Sequence, residues 1–221
     1  MTDKKPKAFL FDLNGTMIDD MKFHNHAWHS ILTEDLGADI SFEDVKKEMY
    51  GKNQDLLERI FGIGYFNTTQ IDKISMEKEQ RYQAAYKAHL KLINGLAGFL
   101  DKARNSGIKM AIGSAAIPFN INFVLDNLAI RSFFDAVVSA EDVINSKPDP
   151  ETFTKGAMLL GCSPDECIVF EDAPKGVEAA QNAGMRCVVL TTMHHTEEFS
   201  DYDNIIAFIE DYRDPVLKNL F

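Results

Sequence analysis

The sequence predicts an α/β protein: a parallel sheet of short buried strands, interrupted after its first strand by a small helical insertion. Three observations predict it. An apolar run at 8–13 stands near the start and is stopped by Asn14-Gly15. Residues 20–92 carry helical periodicity and almost no strand-like runs. From Gly95 onward, short apolar runs alternate with amphipathic segments. Repeated strand–helix units require parallel strands joined by right-handed crossovers. The expected organisation is a core of residues 1–19 and 93–221 with a helical domain, 20–92, inserted in it. A chain of 221 residues is long enough for one sizeable core and a smaller second one.

Each element has a local reason. The run 8–13 is continuous rather than alternating, as expected of a central strand covered on both faces. In the insertion, Ala27, Trp28, Ile31, Leu32 and Leu36 recur at helical spacing, and Gly37 stops them. Ser41 is the expected N-cap of a second helix. Leu56, Leu57, Ile60 and Phe61 mark a third, closed by Gly62 and Gly64, and the stretch from Thr68 or Thr69 through Lys91 reads as one long polar helix. In the core, helices are expected over 99–105, 119–128, 150–160 and 174–183, the third with Pro150 in its first turn. Strands are expected over 108–112, 136–138, 167–170 and 186–190.

Composition narrows the function. The net charge of −11 argues against general affinity for nucleic acid or anionic membrane, whose phosphates are held mainly by Lys and Arg. It leaves room for one small phosphorylated ligand held by a few local cations. Cys162, Cys167 and Cys187 form no C-x-x-C pair, which fits buried, reduced thiols in a cytoplasmic protein. No apolar run approaches the ~20 residues of a membrane span. Residues 1–7 are polar and carry no signal-peptide core. The acidic, polar long helix gives no dimer signal, so a monomer is expected.

In open parallel sheets, ligands bind beyond the C-terminal ends of the strands. The first strand delivers Asp12 and Asn14 there, the second Ser114, and the fourth Glu171 and Asp172; Lys147 stands in the loop 145–150 before a helix. Each is ordinary alone: Asn-Gly is a common turn dipeptide, and an acidic pair suits a helix start. Together they form an inventory with a purpose. Carboxylates gathered at one edge repel unless a cation joins them. Oxygen-only ligands suit Mg²⁺, which is held by one or two carboxylates plus substrate phosphate. A lysine and a hydroxyl complete an anion site, and a carboxylate can attack phosphorus.

The segments Phe11-Asp-Leu-Asn-Gly-Thr16, Gly113-Ser114, Ser146-Lys-Pro-Asp-Pro150 and Phe170-Glu-Asp-Ala-Pro-Lys-Gly176 resemble, in order, the four motifs of the haloacid dehalogenase-like (HAD) hydrolase superfamily. The match spans nearly the whole chain and implies a Rossmann-like parallel-sheet core with an inserted helical cap. His24 and Trp28, spaced His-x-x-x-Trp, resemble a cap helix of the β-phosphoglucomutase-like branch. The resemblance implies that Asp12 becomes an aspartyl-phosphate. Asp12, the carbonyl of Asn14, and Asp172 would ligate Mg²⁺, with Glu171 direct or through water. Ser114, the backbone at Ala115, and Lys147 would hold the phosphoryl oxygens. The implied activity is a phosphatase acting on a small phosphorylated metabolite such as a sugar phosphate, with a phosphosugar mutase as the alternative.

Two departures stand out. The family has a second Asp, its general acid and base, where this chain has Asn14. Four accounts fit: an introduced substitution that traps a complex, a proton supplied by His24 of the cap, a substrate with a good leaving group, or deamidation at Asn14-Gly15. A catalytically impaired phosphate-binding protein is the corresponding reading outside enzymes. The second departure is the mutase's sugar-phosphate grip, a cap Arg and a Lys-Asn pair after the serine. Here the cap reads Gly51-Lys-Asn-Gln-Asp55 and the loop Ser114-Ala-Ala-Ile-Pro118, with Gly51 and Lys52 as the remaining anion contacts. That favours a phosphatase. His194-His195 lack a third partner at metal-ligand spacing.

Overall fold

A computed structural model describes residues 5–221; the polar lead-in 1–4 lies outside the described residues. The chain divides into two compact units, one running up to Asp19 and resuming over Lys91–Phe221, the other Asp20–Leu90.

The first unit contains a six-stranded parallel sheet: β1 (Ala8–Phe11), β2 (Lys109–Gly113), β3 (Ala136–Val138), β4 (Cys167–Glu171), β5 (Arg186–Leu190) and β6 (Ile205–Ile209). Its order is β3-β2-β1-β4-β5-β6, with every neighbouring pair parallel. The order reverses between β1 and β4, which makes that pair the topological switch point. Phe11 lies level with Ile112 on one side and Phe170 on the other, so the residues just beyond these strands share one edge.

Burial on both faces explains why β1 reads as an unbroken apolar run. Alternate side chains project to opposite faces. Phe9 and Phe11 pack with Phe99, Phe170 and Tyr212, including a stacked Phe11–Phe170 pair 4.8 Å apart. Ala8 and Leu10 belong to the opposite core, with Ala111, Phe153, Val169 and Cys187. Helices α5 (Leu96–Asn105), α6 (Pro118–Asn127), α7 (Glu151–Leu160) and α8 (Pro174–Asn182) belong to this unit. The cysteines are free thiols. Among the described residues, no helix is long and apolar enough to cross a membrane.

The second unit consists of α1 (Met21–Ser30), α2 (Phe42–Glu48), α3 (Asn53–Phe61) and α4 (Thr68–Tyr86). α1 continues into a wider turn over Ile31–Asp35. Ser41 caps α2, accepting from the Asp44 N–H at 3.1 Å. Asn67 caps α4 reciprocally with Gln70. Trp28, Ile31, Leu32, Val45, Leu56, Leu57 and Ile71 form this unit's own apolar core, so Trp28 is a core residue.

The structure departs from expectation in two places. The long helix ends at Tyr86 rather than near residue 91. The chain becomes extended at Leu90, Leu92 pairs antiparallel with Ile18, and Ile93 N–H donates to the Met17 carbonyl at 2.9 Å. Those backbone bonds replace the helical ones. The structure also adds β6, for which the sequence reading makes no provision. Its signal is the apolar, β-branched run Ile205-Ile-Ala-Phe-Ile209.

Candidate active site

Asp12 is the first residue past β1, and its N–H donates to the Phe170 carbonyl at 2.9 Å. That backbone bond fixes Asp12 beside the end of β4, where Glu171 and Asp172 stand. Lys147 Nζ lies 2.7 Å from Asp12 Oδ1 and 2.7 Å from Glu171 Oε1. All four side chains are buried. The lysine comes from the loop before α7, and Asn182 Nδ2 donates to the Pro148 carbonyl of that loop at 3.0 Å. Its ammonium also sits 4.6 Å from the centre of the Phe153 ring.

Other bonds hold the acids in place. Glu171 Oε2 accepts from the Asp172 and Ala173 N–H groups at 2.8 and 2.9 Å, so its carboxylate faces the start of α8. Thr16 Oγ1 donates to Asp172 Oδ1 at 3.1 Å. Tyr212 OH donates to the Thr16 carbonyl at 3.1 Å, and Thr192 Oγ1 donates to the Gly15 carbonyl at 2.7 Å. Ser114 is buried past the end of β2, and its Oγ accepts from the Ala116 N–H at 3.1 Å. The intervening Ala115 is half-buried.

Two glycines are required by close approach. Gly15 has φ +77°, and a Cβ there would lie 2.0 Å from Asp172 Oδ2. A Cβ on Gly176 would lie 1.8 Å from Glu171 Oε1. We therefore expect Gly176→Ala to displace the Glu171 carboxylate and destabilise the fold by about 1–3 kcal/mol, measured by urea unfolding. Unaltered stability would mean that α8 shifts freely at that contact.

Electrostatically the cluster is short of positive charge. Burial, and then the Glu171 and Asp12 carboxylates, push the Asp172 carboxyl well above the usual range. Burial opposes the Lys147 ammonium, but Asp12 and Glu171 outweigh it and hold its pKa above the ordinary lysine value. Among the described residues, no three Asp, Glu, His or Cys side chains form a preformed metal cage. The donor set nevertheless fits a hard divalent cation of the kind that keeps its own waters: oxygen ligands only, and carboxylate charge exceeding the single lysine.

His24, Gly51 and Lys52 lie in the second unit. Lys52 stands at the start of α3 with its N–H donating to Asp55 Oδ2 at 2.8 Å, and the preceding Gly51 has φ +77°. His24 is buried and belongs to a polar cluster. Its ring stacks on Tyr82, Lys78 Nζ lies 2.6 Å from Nδ1, and Asp20 Oδ2 lies 3.3 Å from Nε2. A protonated Lys78 makes Nδ1 the acceptor and leaves the ring proton on Nε2, facing Asp20. Lys78 also donates to Glu79 at 3.1 Å, and Tyr82 OH donates to Asp20 Oδ2. Tyr82→Phe removes a donor from a buried carboxylate and is expected to cost about 1–3 kcal/mol, read by urea unfolding. A neutral result would mean that Asp20 finds another donor.

The structure thus brings together Asp12, Lys147, Glu171 and Asp172, with Asn14 and Ser114 on adjoining strand ends. Sequence reasoning missed Thr16, Thr192 and Tyr212. Thr16 stands within the first motif and follows a turn glycine, a usable signal. Tyr212 has none, because the bond it makes joins residues far apart in sequence.

Comparison with known proteins agrees with this architecture. The family model described as haloacid dehalogenase-like hydrolase matches residues 9–190. A β-phosphoglucomutase of Bacillus subtilis is 32% identical over 190 residues, covering 82% of each chain. The fructose-1-phosphate phosphatase YqaB of Escherichia coli is 32% identical over 185 residues, covering 82% of this chain and 94% of that one. The chain spans 57% of the length of a further relative, a chloroplastic phosphatase of Arabidopsis thaliana. The crystal structure of a β-phosphoglucomutase from Clostridium difficile superposes with a TM-score of 0.83 at 25% identity, covering 97% of each chain. With its parallel sheet, its strand-end carboxylates and these relatives, the chain belongs to the haloacid dehalogenase-like hydrolases, in their class of phosphatases and phosphomutases.

Proposed function

We propose that this chain is a magnesium-dependent phosphatase that takes the phosphoryl group of a small metabolite onto Asp12 and passes it to water. One observation carries the reading: the buried Lys147 ammonium joins Asp12 to Glu171 at the sheet's switch point, beside an Asp172 whose carboxyl is raised by burial and then by the Glu171 and Asp12 carboxylates. Asp12 and Asp172, the Asn14 carbonyl, and Glu171 directly or through water are the residues that would hold Mg²⁺. When bound, the ion supplies charge neutralisation between carboxylates and phosphate.

The protein's own groups do the rest. Asp12 attacks phosphorus from a position fixed by β1 and β4. Lys147, Ser114 and the backbone at Ala115 hold the phosphoryl oxygens, where the lysine offsets developing charge. Excluding water from buried carboxylates strengthens that effect. Gly51, Lys52 and His24 are proposed to serve substrate from the helical unit. Sugar phosphates are the favoured substrates because two relatives are named for acting on them. A cytoplasmic monomer remains the expected form.

A mutase reading has one specific support, the β-phosphoglucomutase relative. Against it, Ile117 and Pro118 stand at the start of α6 shortly after Ser114, where the mutase grip needs polar side chains. The test is a magnesium titration of phosphate release from an aryl phosphate and a panel of sugar phosphates, alongside β-glucose 1-phosphate with a bisphosphate activator. Metal-dependent release of free phosphate supports the phosphatase. Glucose 6-phosphate without free phosphate identifies a mutase, and no turnover at any magnesium concentration sinks both.

A further inference from the structure

Asn14 stands two residues past the nucleophile, and its amide neither gives nor takes a proton near neutral pH. The proton-bearing groups at this sheet edge are engaged in other bonds. Thr16 Oγ1 donates to Asp172, Tyr212 OH to the Thr16 carbonyl, and Thr192 Oγ1 to the Gly15 carbonyl. The Lys147 ammonium spans two carboxylates. Ser114 carries a hydroxyl, which is a hydrogen-bond donor and not an acid at neutral pH. Asp172, whose carboxyl burial pushes up, is among the residues that would hold Mg²⁺, where it would carry charge and not a proton, so none of these groups serves as a general acid. Conversion of Asn14 to Asp does not readily fill the gap. Deamidation needs the Gly15 nitrogen to attack the Asn14 side chain, and the Gly15 N–H is bound to the Ile18 carbonyl at 2.8 Å.

In phosphoryl transfer the bond to the leaving oxygen is largely broken in the transition state, so that oxygen carries much of the charge. Without an acid, the charge must be borne by the leaving group itself. We infer that the chain's substrates are phosphoryl donors whose leaving oxygen departs unprotonated as a weakly basic anion: acyl phosphates foremost, and among sugar phosphates those on the acidic anomeric hydroxyl rather than ordinary alkyl esters. The inference rests on the aspartyl-phosphate reading above and names the substrate class of that same site.

The steps balance. An Asp12 carboxylate oxygen forms a bond to phosphorus. The bond from phosphorus to the leaving oxygen breaks, and its electron pair stays on that oxygen, which leaves as the carboxylate or alkoxide. Water then attacks phosphorus, the bond to Asp12 breaks, the carboxylate is regenerated, and the proton of water goes to solvent. Asn14 cannot activate that water either, so the second step is slow and identical for every substrate. Leaving-group dependence therefore belongs to the first turnover, while steady-state turnover is nearly uniform across substrates.

The test follows first-turnover release of the phenol from a graded series running from nitrophenyl through chlorophenyl to phenyl phosphate. The whole protein is used with Mg²⁺ present, and acetyl phosphate is added as an acyl donor. The parent should show a steep fall along the series with a common steady-state rate, and acetyl phosphate should load Asp12, read as one phosphoryl mass. Asn14→Asp should accelerate phenyl phosphate by ~10²–10⁴-fold and nitrophenyl phosphate far less, flattening the series. A shallow series in the parent overturns the inference, and steepening of that series by His24→Gln would then assign the acid to the helical unit. No phosphoenzyme and no turnover in either form overturns the aspartyl-phosphate reading itself, and the inference with it.

Discussion

Asp12→Ala is expected to abolish phosphoryl transfer, with turnover falling by on the order of 10⁴-fold or more and no phosphoenzyme by mass. The size of the effect follows from position. Asp12 is the one carboxylate delivered by β1, and its main chain is tied to Phe170 on β4. Glu171 cannot replace it, because one oxygen accepts from Lys147 and the other from two backbone N–H groups at the start of α8. Asp172 is held by Thr16 and pressed against Gly15. The variant should fold, because removing one carboxylate relieves repulsion in the cluster. Unfolding and substrate consumption are followed together, and retained phosphoenzyme chemistry in a folded variant would move the nucleophile elsewhere.

Lys147→Met has the second largest effect, and it appears in two readouts. The substitution keeps most of the apolar stem against Phe153 but leaves two buried carboxylates without their shared cation. Breaking a buried ion pair from one side is costly, and about 3 kcal/mol of stability should be lost in metal-free buffer. Magnesium should return part of that loss, since the ion occupies the same electrostatic role. Activity should fall by ~10²–10³-fold even with saturating metal, because a fixed donor to the transferring group is gone. The pH dependence has a definite sign. Lys147 is held above its ordinary value of 10.5, so its contribution is fully present below that pH and is lost as pH rises through the folded pKa. The stability gap between parent and variant should therefore narrow in strong alkali and stay constant through the neutral range. Equal stability in metal-free buffer at neutral pH would show that Asp12 and Glu171 do not depend on this amine.

Much of this protein is legible in its sequence. The run Ala8-Phe-Leu-Phe11 is continuous because its strand is covered on both faces, and that continuity is visible in one dimension. Ser41 announces its helix because capping is a bond within three residues, and Asn67 caps α4 by the same kind of local bond, a signal the sequence reading passed over. The strand-end acids Asp12, Glu171 and Asp172 are legible for a similar reason, since Asp12 and the Glu171-Asp172 pair each stand at the end of an apolar run. Elements were harder where the deciding bond was distant. The end of the long helix depends on Leu92 meeting Ile18.

The chemistry available at the sheet edge is written along the chain: a first carboxylate, an amide where a second acid could stand, a paired acid later, and a lysine between. Covalent order and local bonding set these, because each lies within a few residues of its strand. Which of them meet is a property of the folded chain. Lys147 reaches Asp12 across 135 positions, and Thr16 reaches Asp172 across 156. Those contacts arise because parallel strands with crossovers bring all their C-terminal ends to one edge, a constraint that no local stretch of chain contains.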